Sequence, residues 1–244
     1  MEDKIKLLQK IIDESENVVF FGGAGVSTES GIKDFRSVDG LYSEKYDYPP
    51  EEILSGGFFY SHTHEFYKFY YDKLLIDGVL PNNAHLKLAE MERKGKLTAV
   101  ITQNIDGLHQ KAGSKTVYEL HGSVERNFCL DCGEFYSGED IFNFKKSGVK
   151  VPRCKCGGLI KPDVVLYGEG LDDQTVEKSI EAISKADTLI IAGTSLTVYP
   201  ASGLIHYFNG KNLVLINKTP TDADKFASLV IYGKVGETLS KIVI

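Results

Sequence analysis

Apolar runs that stop abruptly at glycine or at a hydrogen-bonding side chain recur along this 244-residue chain. They restrict its fold more than any other feature. Val18–Phe21 runs into Gly22-Gly23-Ala24-Gly25, and Leu97–Thr102 into Gln103-Asn104-Ile105-Asp106. Val117–Leu120 runs into His121-Gly122, Thr188–Ala192 into Gly193-Thr194-Ser195, and Leu213–Ile216 into Asn217. Short unbroken apolar runs read as strands buried on both faces. Between them lie segments of helical spacing: 3–14 with Ile5, Leu8, Ile11 and Ile12, 84–93 capped by Asn82 or Asn83, and 172–186 with Val176, Ile180 and Ile183. Two more helices, 201–208 and 235–242, and a last strand at 229–232 complete the pattern. This alternation predicts an α/β fold on a doubly wound, Rossmann-like parallel sheet, whose ligands gather at the carboxyl ends of the strands. The five polar groups named above all fall there.

Two stretches interrupt the alternation. Residues 37–74 are rich in Tyr, Phe and turn formers and read as a helical module, with one helix from Ser61 or Thr63 to about Leu75. Residues 123–159 hold all four cysteines and little periodic structure, and read as an inserted zinc-binding module. A discontinuous main domain remains, at 1–36, 75–122 and 160–244, with a further apolar strand at 163–166. No apolar run is long enough to span a bilayer. The acidic start, Met1-Glu2-Asp3, does not read as a secretory signal, so a cytoplasmic location is expected. A net charge of −6 and the lack of any Lys/Arg run argue against stable nucleic-acid binding.

The glycine turn at 22–25 suits a pyrophosphate, because glycine lets a phosphate approach the main-chain N–H groups. It is not the dehydrogenase fingerprint. Thr28 stands where the third glycine belongs, and no acidic residue ends a second strand roughly twenty residues on. Gln103, Asn104 and Asp106 offer donors and acceptors fit for ribose hydroxyls and a carboxamide, although Asn and Asp are also ordinary loop residues. His121, between a strand end and a glycine, is the candidate general base. His62, His64, His85, His109 and His206 lack such company and read as structural or solvent-facing.

Cys129-Leu130-Asp131-Cys132 and Cys154-Lys155-Cys156 are separated by twenty-one residues. Paired cysteines at this distance suit one tetrahedral Cys₄ zinc ion, and four thiolates leave no open position, so the metal is structural. Thiols held for redox chemistry are the alternative.

Taken in order, GAGVSTESGIKDFR, TQNIDGLHQKAG, LHG, the paired cysteines, PDVVLYGE and GTSL resemble the sirtuins, the NAD-dependent protein lysine deacylases, from about Val18 to Asn217. The resemblance implies that Ala24, Thr28, Phe35 and Arg36 contact NAD. It implies that Gln103 touches the nicotinamide-side ribose, that Ile105 and Asp106 hold the carboxamide, and that Asn104 lines the reaction pocket. Thr194, Ser195 and Asn217 would hold the phosphates and adenosine, with Lys234 near the adenine. His121 would be the catalytic base. Val164, Val165, Gly168, Glu169, Val198 and Tyr199 would hold the backbone of an acyl-lysine protein or peptide. NAD would be consumed as a co-substrate, giving nicotinamide and O-acyl-ADP-ribose. Mono-ADP-ribosyl transfer from the same pocket, or a non-catalytic NAD-sensing or zinc-ribbon module, are the competing readings.

Two departures from the family pattern stand out. Lys33 replaces the proline of a GIPDFR motif, which predicts a more mobile cofactor loop and weaker NAD affinity. Tyr70 stands where succinyl- and malonyl-preferring sirtuins place an arginine three residues after a tyrosine, here Tyr67, so acetyl or longer apolar acyl groups are expected.

Overall fold

The computed structural model describes residues 2–35 and 40–244. Six parallel strands form the main sheet: β1 (Val18–Gly22), β2 (Leu97–Thr102), β3 (Val117–Glu119), β7 (Thr188–Ala192), β8 (Asn212–Asn217) and β9 (Leu229–Tyr232), in the order β3-β2-β1-β7-β8-β9. Every residue of β1 and β7 is buried, which accounts for their unbroken apolar sequence. Side chains still alternate. Val18 and Phe20 join Ile190, Ala192, Val214 and Ile216 on one face, under the helices Glu2–Glu14, Asn83–Arg93 and Val235–Leu239. Val19 and Phe21 join Leu189, Ile191 and Leu215 on the other, with Ile183 of the helix Asp173–Lys185 and Leu204 of the 3-10 segment Ala201–Tyr207. The strand order reverses between β1 and β7, and there the loops leaving the strands part to opposite faces and open a crevice at the strand ends.

A smaller antiparallel sheet has the order β5-β4-β6, from β4 (Gly122–Cys129), β5 (Phe135–Ser137) and β6 (Ile160–Val164). The strand expected at 163–166 therefore begins three residues earlier and pairs with β4 instead of extending the main sheet. The small sheet shares one apolar cluster with the aromatic helices: Phe58, Phe59, Phe66, Tyr67 and Tyr70 pack with Val124, Ile160 and Leu166.

Two local outcomes differ from the sequence reading. The helix expected from 61 or 63 to 75 runs from Thr63 to Phe69 and ends in a π-turn at Tyr70–Leu74, and a separate short helix that the sequence did not suggest, Gly56–Ser61, precedes it. His62, whose φ of −132° and ψ of 48° are not helical, divides the two. Residues 123–159 are more regular than expected, since they carry most of β4, all of β5 and a helix at Gly138–Lys146. That helix starts on a capping box in which Ser137 Oγ accepts from Asp140 N and Asp140 Oδ2 accepts from Ser137 N. No helix among the described residues is long and apolar enough to cross a membrane.

Candidate active site

The turns after β1 and β7 interlock. Gly23 N donates to Ala192 O at 3.2 Å and Gly25 N to Gly193 O at 2.8 Å. Only glycine fits at 193: φ is +60°, and a Cβ would stand 2.4 Å from Val26 N. Beyond Gly23 the chain makes two 3-10 turns, Ala24–Val26 and Thr28–Ser30, in place of an α-helix. Thr28 Oγ1 donates to Gly25 O at 3.0 Å, so the missing third glycine is replaced by a hydroxyl that braces the turn. Arg36 lies outside the described residues.

The loop after β2 reaches both neighbours. Gln103 N donates to Gly22 O at 3.0 Å, and its side-chain Nε2 donates to Thr194 Oγ1 at 3.2 Å. Asn104 Nδ2 donates to Ser27 Oγ at 3.0 Å, and that hydroxyl donates to Asp106 Oδ2 at 2.7 Å. Leu108 N completes the Asp106 carboxylate at Oδ1. The buried Ser27 therefore fixes Asn104 and Asp106 together. The sequence reading missed it, because its partners lie 77 and 79 residues away. His85 stands behind it, with Nε2 3.5 Å from Ser27 Oγ. His85 and His109 are both fully buried, as a structural reading requires. Ile105 carries the loop onward, its carbonyl accepting from Val124 N.

His121 joins this cluster. Its Nδ1 lies 2.9 Å from the carbonyl oxygen of Gln103. A carbonyl can only accept, so the neutral ring carries its proton on Nδ1 and presents a bare lone pair on Nε2. Burial lowers the pKa of the ring, and the bond to Gln103 opposes that shift. The imidazole is thus neutral near pH 7 and able to take a proton. Gly122, at φ +74°, lets β4 depart at once, since a Cβ there would collide with Asp163 O.

On the far side, Thr194 N donates to Asn217 Oδ1 and Asn217 Nδ2 to Thr194 O, both at 3.1 Å. The buried Asn217 amide thus shapes the loop after β7. Ser195 is exposed beside Thr197, its hydroxyl 2.8 Å away. Lys234 follows Gly233, whose N–H donates to Asn217 O. Glu29 ties this end to the glycine turn by accepting from Gly236 N at 2.6 Å and Glu237 N at 3.1 Å.

The expected peptide segments flank the cluster. Val165 N donates to His121 O at 3.0 Å, while Val164 is buried. Glu169 turns inward, Oε2 accepting from Leu166 N at 2.9 Å and Lys161 Nζ at 3.1 Å, so its side chain holds the turn that exposes Gly168. In the loop after β7, Val198 is half-buried and Tyr199 is 72% exposed. Tyr67 and Tyr70 are fully buried, with the Tyr67 hydroxyl donating to Ile160 O. A groove of about 430 Å³ lies between the aromatic helices, at His64, Lys68, Tyr71 and Asp72, and the end of the helix Gly138–Lys146, at Lys145 and just beyond it at Val149, and holds none of these groups.

The four cysteine sulfurs lie within 4.8 Å of one another, with Cys129–Cys156 and Cys132–Cys154 at 3.5 Å and Cys132–Cys156 at 3.4 Å. Tetrahedral Zn–S bonds of about 2.3 Å place sulfurs roughly 3.8 Å apart, a little wider than these three pairs and inside the limit that holds all four. The C-x-C pair fits because the chain turns back at once: Cys154 N donates to Gly158 O, and Gly158 N points at Cys156 Sγ at 3.4 Å. Zinc held here is structural.

A family model described as Sir2 family matches residues 23–200. The chain is 58% identical over 247 residues to an NAD-dependent protein deacetylase of Clostridium perfringens, covering 100% of both. It is 56% identical over 244 residues to one of Clostridium acetobutylicum, covering 99% of this chain and 98% of that one. Among solved structures, "Sir2 bound to acetylated peptide" matches with TM-score 0.85 and 40% identity over 96% of this chain and 95% of that chain. "Sir2-p53 peptide-NAD+" matches with TM-score 0.85 and 41% identity at the same coverage. With the interlocked glycine turns, the pinned imidazole and the four-thiol site all in place, the chain belongs to the Sir2 family.

Proposed function

We propose that this protein is an NAD-dependent protein lysine deacylase, consuming NAD and an acyl-lysine side chain and releasing nicotinamide, free lysine and O-acyl-ADP-ribose. The observation that carries the reading is His121, held by the Gln103 carbonyl with Nε2 bare, among loops tied to both glycine turns. NAD supplies an anomeric carbon already bearing a leaving group. The acyl carbonyl oxygen bonds to that carbon as the bond to nicotinamide breaks, and the bonding electron pair leaves with nicotinamide. His121 Nε2 then takes the proton of a ribose hydroxyl, which attacks the alkylated amide carbon, and water completes the release.

The residue roles are those that the family resemblance implies. The glycine turn, with Ala24, Thr28, Phe35 and Arg36, takes one side of NAD. Gln103 takes the ribose, and Ile105 and Asp106 the carboxamide. Asn104 faces the reacting centre, kept in place by Ser27. Thr194, Ser195 and Asn217 shape the phosphate and adenosine end, with Lys234 beyond it. Val164, Val165, Gly168, Glu169, Val198 and Tyr199 border the peptide. Residues 1–36, 75–122 and 160–244 serve as the NAD-binding unit, and 37–74 with 123–159 as the smaller one, to which β6 lends its pairing edge. The cysteines bind zinc as thiolates, which fits a reducing cytoplasm. Succinyl-lysine is expected to be a poor substrate, because Tyr70 stands where succinyl-preferring sirtuins carry the arginine that would pair the acyl carboxylate.

Purified protein with NAD and acetyl-, butyryl- and succinyl-lysine peptides tests the reading by mass spectrometry. Loss of acyl from lysine with matching nicotinamide release is expected for the first two. Added ADP-ribose on protein, with the acyl group retained, would refute it.

A further inference from the structure

Away from the strand ends, a second set of charges joins the two ends of the segment that carries Phe35. Lys33 Nζ lies 2.7 Å from Glu44 Oε1, and Lys73 Nζ lies 2.8 Å from Glu44 Oε2. The Tyr46 hydroxyl donates to the same Oε2 at 2.8 Å, and Lys73 also pairs with Asp72 at 3.1 Å. One carboxylate thus accepts from the cofactor segment, from its own return and from the end of the aromatic helices. Lys33, Lys73 and Tyr46, in that order, hold the Glu44 carboxyl down at about 2. Between the ends, Leu41 N donates to Asp34 O and Tyr42 N to Phe35 O, both at 2.9 Å. The Tyr42 ring meets Phe35 edge-on with centroids 5.5 Å apart.

A proline at position 33 would limit the chain from within. Lysine does not, so the restraint at this point comes from its partner. We propose that Glu44, acting through Lys33, is a positioning residue for NAD: an ionic tie that takes over the work of backbone stiffness and makes NAD affinity depend on ionic strength. The inference rests on the NAD-dependent reading above and reverses the looseness expected from Lys33 alone. Lys33 is 53% exposed and Glu44 27%, so the effect is modest and open to screening by salt.

The test is steady-state kinetics of the parent, Lys33→Met, Glu44→Gln and the double variant, with Lys33→Arg as the conservative control. Each single variant is expected to raise KM for NAD about 2- to 5-fold, the range open to a partly exposed ion pair. The kcat and the KM for peptide should stay put. The double variant should be no worse than the worse single one, since both remove one interaction. Lys33→Arg should keep the parent's KM. The parent's KM should climb toward that of the variants between about 0.05 and 0.5 M NaCl, and theirs should climb less steeply. Unshifted KM values, fully multiplying effects or an undiminished salt response in the variants would overturn the proposal. Melting temperatures separate a merely structural role, which lowers stability and leaves KM alone. If one single variant does not fold, the other decides, by its KM and by a salt response weaker than the parent's. A parent that consumes no NAD sinks the functional reading together with this inference; an active parent with unshifted variants sinks this inference alone.

Discussion

His121 concentrates the chemistry because two ordinary features act on one ring. The Gln103 carbonyl selects the tautomer, and burial keeps the ring neutral. A base of lowered pKa is available down to more acid pH than a free imidazole. The acid limb of kcat for O-acyl-ADP-ribose formation should therefore fall below about 6.5, the ordinary histidine value. A limb centred above neutrality would contradict the assignment. Ser27 acts one step further back, as the shared partner of Asn104 and Asp106. Ser27→Ala strands both in a buried site, where a lost partner costs about 1–3 kcal/mol. A drop in kcat/KM of about tenfold or more is expected on that scale, with the fold intact by circular dichroism. Parent-like kinetics would remove Ser27 from the account.

At the scale of elements, the glycine turns after β1 and β7 form one unit. Gly193→Ala would drive a Cβ into Val26 N in a backbone conformation that alanine rarely adopts. NAD affinity and melting temperature should fall together, and a change in neither would mean the two turns are independent. The small sheet depends on its metal in the same way. Cys129 and Cys154 are part of the apolar cluster that also holds Phe58 and Tyr67. Structural zinc contributes on the order of 10 kcal/mol to such a site. Chelation, or Cys129→Ser, should release one zinc per chain and expose the aromatic cluster, read as increased dye binding. Unchanged near-UV dichroism after complete metal loss would contradict this.

These elements also mark how far the sequence could be read. The buried strands were legible because five apolar runs ended in polar groups, a pattern with a period and a stop. The short helix Gly56–Ser61 was not, because it opens on two glycines and is only six residues long. The helix at 138–146 was legible in principle from Ser137 and Asp140, a capping box three residues apart, but the cysteines on both sides drew the reading toward a structureless metal loop. Ser27 and the Lys33–Glu44–Lys73 group depend on contacts between separate loops, and no local spacing encodes those.

In the whole molecule, two neutral histidines lie where the glycine turn, the loop after β2 and the helix Asn83–Arg93 meet. Their ring centroids are 4.7 Å apart. Burial lowers His85 to about 4, against the opposing pull of Asp106, and pushes His109 well down, helped by His85. The unfolded chain binds protons at both near pH 6.5 and the folded chain does not, so unfolding takes up protons in that window. Their contribution to stability is complete above about 6.5 and is lost as pH falls toward the folded values. Denaturant midpoints should drop between pH 6.5 and about 4, and His109→Phe should flatten that drop. A slope left unchanged by the substitution would assign the effect elsewhere.

The most direct measurement separates the two halves of the reaction in His121→Ala. With NAD and acetyl-lysine peptide, exchange of labelled nicotinamide into NAD reports the first bond change, and O-acetyl-ADP-ribose reports the second. Loss of a positioned base is worth about 10²–10⁴-fold in rate. Product formation should fall by that factor while exchange persists, because His121 acts after nicotinamide has left. Equal product formation by parent and variant would contradict the role of His121 and, with it, the convergence of these loops on one reacting centre.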